Sequence, residues 1–255
     1  MHRLEIFSPG TIPEICLGDD LCEIISAALR REGETLQDGD IVALAHKIVS
    51  KSEGSVVDLA TVTPGEEAQW CAKYTGKDPA LVEVILSEST QVLRYAKNGP
   101  LICRHRLGFV CANAGVDQSN THPGTAILLP KNPDKSASEL AKKLEKEWNK
   151  RLGVLICDTQ GRPFRNGASG IAVGLGNVRA HKSYVGKKDR TGRTMETTLE
   201  ARADEVAAAA TLLMGQGKEG RPVVVVRGLA GALGAGSIRD VLRPAEKDLF
   251  LKSDG

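Results

Sequence analysis

Apolar positions along the chain switch between two periods. Leu4 to Phe7 alternates like a short strand, and Ser8-Pro9-Gly10-Thr11-Ile12-Pro13 breaks it into a loop. Asp20 to Arg31 has helical spacing, with Leu21, Ile24, Ile25 and Leu29 on one face. After a turn at Asp38-Gly39-Asp40, Ile41 to Ala45 is a continuous apolar strand, followed by a polar exit from His46 to Lys51. Pro64 to Thr75 and Pro79 to Arg94 are predicted helices, each opening after a proline or a capping residue. Leu101 to Cys103 and Gly108 to Ala112 form a predicted strand pair, and Asn113 to Asn120 is a polar loop.

Farther along, Ala126 to Leu129 is an apolar strand closed by Pro130, and Ser136 to Arg151 is a helix with Ser136 as its expected cap. Val154 to Ile156 is a buried strand, and Gly170 to Leu175 is apolar and glycine-rich. His181 to Thr198 is polar, with turns at Gly186 and Gly192. Thr198 to Met214 is an alanine-rich helix stopped by Gly215, and Val223 to Val226 is a strand buried on both faces. The tail beyond Leu242 is peripheral. Strands and helices mix without a strict βαβ rhythm, so the expected class is α+β (mixed α/β) rather than a doubly wound sheet. One domain over 1–255 is expected, with a subdivision near residue 150 conceivable.

Composition narrows the function classes. The net charge of +2 argues against a nucleic-acid binder that relies on a global positive field, and the few aromatic residues argue against base-stacking platforms. Six cysteines without a CxxC pair, three of them in apolar runs, read as reduced thiols of a cytoplasmic protein and make a zinc site improbable. The opening Met1-His2-Arg3-Leu4-Glu5-Ile6-Phe7 lacks the apolar core of a signal peptide, and no stretch reaches membrane-spanning length.

The chemistry concentrates in Val154-Leu155-Ile156-Cys157-Asp158-Thr159-Gln160-Gly161-Arg162-Pro163-Phe164-Arg165. A strand that ends in Asp158-Thr159 puts hard oxygen ligands at a sheet edge, and the adjacent arginines suit anionic oxygens, as for a metal-bound phosphate. The alternative is an Asx-type turn with both arginines in solvent. No GxxxxGK[ST] occurs, and Gly174-Leu175-Gly176 lacks the third glycine of a dinucleotide fingerprint. The glycine-rich run from Gly228 to Gly236 reads as a mobile loop rather than a phosphate cradle. Polar clusters at His46–Lys51, Asn113–Asn120, Asp158–Arg165 and Gly215–Arg221 together offer two acids, a hydroxyl, an amide and several cations. On residue chemistry alone, that is a metal-dependent phosphoryl-transfer site.

Five segments carry a resemblance: Asn113 to Asn120, Asp158 to Arg165, Gly186-Lys187-Lys188-Asp189-Arg190-Thr191-Gly192-Arg193, Ala203-Asp204-Glu205, and Leu213-Met214-Gly215-Gln216-Gly217. In order and spacing they resemble the coenzyme F420:L-glutamate ligase family, from the opening strand to about Gly228. The resemblance implies a gamma-glutamyl ligase-type fold with mixed and antiparallel sheets, neither P-loop nor Rossmann. Some members carry a further nitroreductase-like domain; none is expected here. It also implies a GTP-dependent enzyme that joins L-glutamate to the carboxylate of the deazaflavin precursor F420-0 through an acyl phosphate, then adds further γ-linked glutamates. Two divalent ions, Mg²⁺ or Mn²⁺, would assist, with K⁺ a further candidate ion. A homodimer is implied as well, with neither nucleic acid nor membrane as a partner.

Carried over by position, Asp117 and Asp158 resemble catalytic ligands of a first metal, and Thr159 and Gln216 resemble ligands of a second. Lys51 and Asn120 resemble GTP contacts. Ile12, Pro13, Glu14 and Ile15, together with Met214, Gly215, Gln216, Gly217, Lys218, Glu219, Gly220 and Arg221, correspond to the walls of a nucleotide pocket. His46-Lys47 departs from the small hydroxyl residues expected near the nucleotide, and looser discrimination between GTP and other triphosphates is expected if both face the phosphates. Arg162 and Arg165 are either substrate-facing or partners of buried acids. Glu205 reads as a salt-bridge partner, and His105 and His122 as surface or strand-end histidines. Two alternatives stand beside the ligase: an amide ligase of the same architecture acting on another carboxylate, and a nucleotide-binding protein without catalysis.

Overall fold

In the computed structural model, residues 3–248 are described. In chain order they form β1 (Glu5–Phe7), α1 (Leu21–Arg31), β2 (Ile41–Ala45), α2 (His46–Ser52), β3 (Val56–Asp58), α3 (Glu66–Thr75), α4 (Pro79–Ser87), β4 (Ser89–Tyr95), β5 (Leu101–His105) and β6 (Val110–Ala112). Then follow β7 (Thr125–Ile127), α5 (Pro133–Trp148), β8 (Gly153–Arg162), β9 (Arg165–Gly176), β10 (Lys182–Ser183), β11 (Leu199–Glu200), α6 (Arg202–Met214) and β12 (Val223–Arg227). Met1 and His2, where the segment read as lacking a leader begins, lie outside the described residues, as does the tail from residue 249. Arg243 and Pro244, at the start of that tail, are exposed.

The main sheet has the order β1-β12-β2-β8-β9. Only the β2–β8 pair is parallel; its neighbours are antiparallel. The other sheets are antiparallel: β4-β5-β6, the ribbon β3-β7 and the ribbon β10-β11. The α+β expectation with mixed and antiparallel sheets therefore holds. Ile41 to Leu44, Val154 to Cys157 and Val223 to Val226 are all buried, as continuous apolar runs in a sheet covered on both faces should be. They join α1, α5 and α6 in one large apolar cluster. A second cluster draws on Ala68, Cys71, Val82, Ile85, Leu101, Cys103 and Ala126, so the chain between β3 and β7 builds a smaller core of its own. Lys150 itself is exposed, while Leu144 and Leu152 on either side of it both belong to the large cluster.

Helices α5 and α6 approach the sheet closely because β9 lacks side chains where they cross. A Cβ on Gly170 would lie 2.5 Å from the Ala207 carbonyl oxygen of α6, and one on Gly176 would lie 2.3 Å from the Ala137 backbone of α5. The glycine-rich run from Gly228 to Gly236 packs in a similar way. A Cβ on Gly236 would meet the Val178 carbonyl oxygen at 2.2 Å, and Arg179 N–H donates to the Ala232 carbonyl. These glycines allow backbone packing, where the sequence suggested only a loose loop.

Several predicted boundaries move, each for a local reason. His46 to Lys51 is helix α2 rather than an irregular exit. Helical spacing buries His46, Val49 and Ser50 and leaves Lys47 and Lys51, four residues apart, on one face. The helix predicted to reach Arg94 stops at Ser87. There the Ser87 and Ser89 hydroxyls donate to the Val84 and Ile85 carbonyls, and the chain reverses into β4. Helix α5 starts at Pro133 with Asn132 as its cap, not Ser136, whose hydroxyl donates to the Asn132 carbonyl. It ends at Trp148 because Asn149 turns left-handed. Helix α6 begins only at Arg202, because Leu199 and Glu200 pair with β10, but it stops at Gly215 as predicted. The largest change is in β8, which does not end at Asp158. It continues to Arg162 and turns into β9, so neither the strand end nor the Asx turn holds, although both arginines are exposed, as the second reading had them.

Candidate active site

The cleft lies where one end of the main sheet meets the smaller core. Parallel pairing of β2 with β8 ends at Ala45 and Cys157. Beyond that point β2 turns into α2, while β8 carries Asp158 and Thr159 onward beside β9. Clefts outside the carboxyl ends of parallel strands are a common place for ligands. The loop after β1 reaches the same end, where Ile12 N–H donates to the Gly220 carbonyl, and Ala45 N–H donates to the Pro222 carbonyl before β12. The resulting cavity has a volume of about 420 Å³, within the usual range for small-molecule clefts.

Nearly every residue named from the sequence lines this cleft. Ile12 to Ile15 and Met214 to Gly217 form walls, Lys218, Gly220 and Arg221 continue one of them, and Asp117, Asn120, Asp158 and Thr159 project from the other elements. Glu219 is the exception. Its carboxylate accepts from Gly217 N–H at 2.8 Å and holds the loop after α6 in shape. Arg162, Phe164 and Arg165 lie at the tip of the β8–β9 hairpin, with Phe164 91% exposed. Four residues of extended strand separate Arg162 from Asp158, about 13 Å. Among the residues described, neither arginine lines the cleft or pairs with a buried acid.

Asp117 comes from the smaller core. Its backbone pairs with Ile127, and its carboxylate accepts from the amide and the hydroxyl of Ser119 at 2.7 and 3.0 Å. Lys47 Nζ stands 2.7 Å from Asp117 Oδ2. Burial alone would raise this carboxyl, but the hydrogen bonds from Lys47 and Ser119 outweigh it and hold Asp117 below the ordinary aspartate value. Lys51 reaches Glu14 and donates to the Asn120 carbonyl, and the Asn120 side-chain amide donates to the Gly217 carbonyl at 3.2 Å. These contacts tie α2, the Asp117 loop and the loop after α6 together across the cleft.

Asp158 accepts from Thr159 N–H at 2.7 Å, and the Thr159 hydroxyl donates to Gln216 Oε1 at 3.1 Å. His46, like Lys47, lines the cleft; it is buried in the floor, its Nε2 3.6 Å from Asp158 Oδ1 and without a hydrogen-bond partner. Burial and the neighbouring Lys47 charge push the imidazole below its ordinary value, against the pull of Asp158 and Asp117, so it is neutral near pH 7. Under the same floor the Cys111 thiol is pushed up to about 12 by burial and then by Asp158, which makes it inert. Among the described residues no group of three or more His, Cys, Asp and Glu side chains is arranged to hold a metal. The two divalent ions that the family resemblance implies would rest on Asp117 and Asp158 for the first and on Thr159 and Gln216 for the second. Two carboxylates, a hydroxyl and an amide oxygen are a hard-oxygen set that fits Mg²⁺ or Mn²⁺ and leaves positions for water or phosphate.

The family model described as F420-0:Gamma-glutamyl ligase matches residues 10–228. The chain belongs to this family. Coenzyme F420:L-glutamate ligase of Methanothermobacter thermautotrophicus is 46% identical over 94% of this chain and 95% of its own length. The protein of that name from Methanocaldococcus jannaschii is 47% identical over 84% and 86%, and the one from Archaeoglobus fulgidus 42% over 97% and 96%. Within the matched span the cleft gathers the six residues that the family resemblance marked as metal ligands or GTP contacts: Lys51, Asp117, Asn120, Asp158, Thr159 and Gln216.

Sequence reasoning missed Ser119 and Thr211, which also line the cleft. Ser119 stands two residues after Asp117, where an Asx turn would bring its amide back to the carboxylate, so that signal was present. Thr211 carried none. It enters because α6 packs on Gly170 and ends at the cleft. His105 is a strand-end residue as expected but not a surface one: it is fully buried against Glu88 at 3.2 Å. His122 is exposed, and Glu205 faces Arg202 at 3.8 Å. No helix among the described residues is long and apolar enough to cross a membrane.

Proposed function

We propose that this protein is a GTP-dependent ligase that joins L-glutamate to the carboxylate of F420-0 and then adds further glutamates through γ-links. The family description supplies F420-0 and the γ-glutamyl link, and the names of the relatives supply L-glutamate. One observation carries the phosphoryl-transfer part. Asp117, Asp158, Thr159 and Gln216 share a single cleft with Lys51, Lys218 and Arg221. Oxygen donors and fixed cations lining one cleft match a metal-bound polyphosphate.

A free carboxylate is a poor electrophile, so it needs activation. An acceptor carboxylate oxygen bonds to the γ-phosphorus as the bond from that phosphorus to the β-phosphate oxygen breaks, which leaves an acyl phosphate and GDP. The glutamate amine then attacks the acyl carbon, inorganic phosphate departs with its electron pair, and the amine gives up a proton. The walls Ile12 to Ile15 and Met214 to Arg221 hold the nucleotide. Lys51, anchored by Glu14 and the Asn120 carbonyl, keeps one of its three protons for a phosphate oxygen. Divalent ions, when bound, offset the charge that develops on the transferred phosphoryl group.

The test is incubation with GTP, L-glutamate, Mn²⁺ and F420-0, read by mass spectrometry for increments of one glutamate residue. Asp158→Ala is expected to abolish those increments and weaken metal-dependent nucleotide binding while leaving the thermal melt in place. Near-normal ligation by that variant would overturn the assignment. A cytoplasmic homodimer belongs to the same reading, and a solution mass near 27.2 kDa by light scattering would refute the dimer.

A further inference from the structure

We infer that Lys47 is a resident cation that holds Asp117 until a metal ion takes its place, so that metal and nucleotide load into the cleft together. This rests on the proposed reading of Asp117 as a metal ligand. An ammonium has three protons to donate. Lys47 spends all of them in the lobe opposite its own helix: on Asp117 Oδ2, on the Ser119 hydroxyl and on the Ser119 carbonyl. In this arrangement it has none for a phosphate. Lys51, one turn later on the same face of α2, donates to only two acceptors, Glu14 and the Asn120 carbonyl, and neither belongs to the metal set.

A divalent ion and an ammonium compete for the same carboxylate. Both oxygens of Asp117 are already occupied, Oδ1 by the Ser119 amide and Oδ2 by Lys47 and the Ser119 hydroxyl. An ion arriving alone must displace Nζ from Oδ2 and then sit beside a positive charge that has lost its best acceptor. A nucleotide removes that penalty, because its phosphate oxygens accept the displaced protons. Lysine suits this exchange better than arginine: its charge is compact, and its four-carbon stem lets Nζ swing while the helix stays still. Coupling of this kind is reciprocal, so metal must tighten nucleotide as much as nucleotide tightens metal.

The experiment titrates Mn²⁺ by electron paramagnetic resonance, with and without GDP, into the wild type, Lys47→Met, Lys47→Arg and Asp117→Asn, each shown to be folded by circular dichroism. Without nucleotide, K47M is expected to bind Mn²⁺ about tenfold more tightly than wild type. In that variant GDP adds less to Mn²⁺ affinity than it does in wild type. K47R keeps the charge and is expected to stay as weak as wild type. D117N is expected to lose the Mn²⁺ site that Asp117 holds in both conditions. If D117N loses the metal but K47M binds it no more tightly than wild type, the inference fails while the metal site stands. Equal tightening in K47R and K47M would also overturn it, because charge would then not be the cause. If D117N binds Mn²⁺ as wild type does, the metal reading fails and the inference with it.

Discussion

Removing Arg227 tests how the main sheet is held at the end opposite the cleft. Its guanidinium grips Asp40 from two sides, with Nε 3.0 Å from Oδ1 and Nη2 2.8 Å from Oδ2, and donates to the Thr35 carbonyl as well. Asp40 is 1% exposed and Arg227 17%. Asp40 also accepts from Gln37 N–H, and its carbonyl takes Gly153 N–H where β8 begins beside β2. Arg227→Met would leave a buried carboxylate without its cation, which typically costs about 3–5 kcal/mol. Because Arg227 is partly in contact with solvent, the lower end, about 3 kcal/mol, is expected. At about 2–4 °C per kcal/mol for a chain of this size, the melting temperature should fall by about 6–12 °C. Urea unfolding of wild type, R227M, D40N and the double variant closes the cycle. The double variant should lose less than the sum of the two single losses, because neither charge is then stranded. An R227M cost below about 1 kcal/mol, or additive losses around the cycle, would refute the reasoning.

Overpacking β9 should be sharply local: Gly176→Ala pushes a methyl into the Ala137 backbone and should cost about 1–3 kcal/mol in urea unfolding, whereas Gly161→Ala, with open space around it, should cost almost nothing. Burial alone would raise the Glu88 carboxyl, but His105 and Arg106 outweigh it and hold it below its ordinary value. Its folded value therefore lies below its unfolded one, and the stability it adds is complete above about pH 4.3 and is lost as pH falls through the folded value. The gap between wild type and Glu88→Gln in urea midpoints should accordingly be full at pH 7 and shrink below about pH 4.3; a gap that widens on acidification would contradict the assignment. His46 and Lys47 face Asp158 and Asp117. Whether Lys47 stays on Asp117 or passes to a phosphate, its acceptors are the same for GTP and ATP, so His46→Ser/Lys47→Thr should leave the GTP:ATP ratio of kcat/KM unchanged, and a shift toward GTP would restore the looser-discrimination expectation.

Three buried strands were legible without coordinates. Ile41 to Ala45, Val154 to Ile156 and Val223 to Val226 are uninterrupted apolar runs, and no other environment suits them. Helix α1 was legible for a related reason: its apolar stripe and the Asp20 cap are both encoded within one stretch of chain. Asp117, Asp158, Thr159 and Gln216 could be named because the motifs around them are distinctive of a family. What sequence could not supply was everything that depends on contact between distant segments. Asp158 looked like the end of a strand because the apolar run stops there, yet the β8–β9 hairpin continues on backbone hydrogen bonds that do not depend on side-chain polarity. The arginines beside it looked like part of the site, and the same hairpin carries them away. Lys47 and Asp117 stand seventy positions apart, and only the seating of the smaller core against α2 brings them to 2.7 Å. Local periodicity reports which face of an element is apolar. It carries no term for which element will lie against that face, and the cleft is made from those long-range choices.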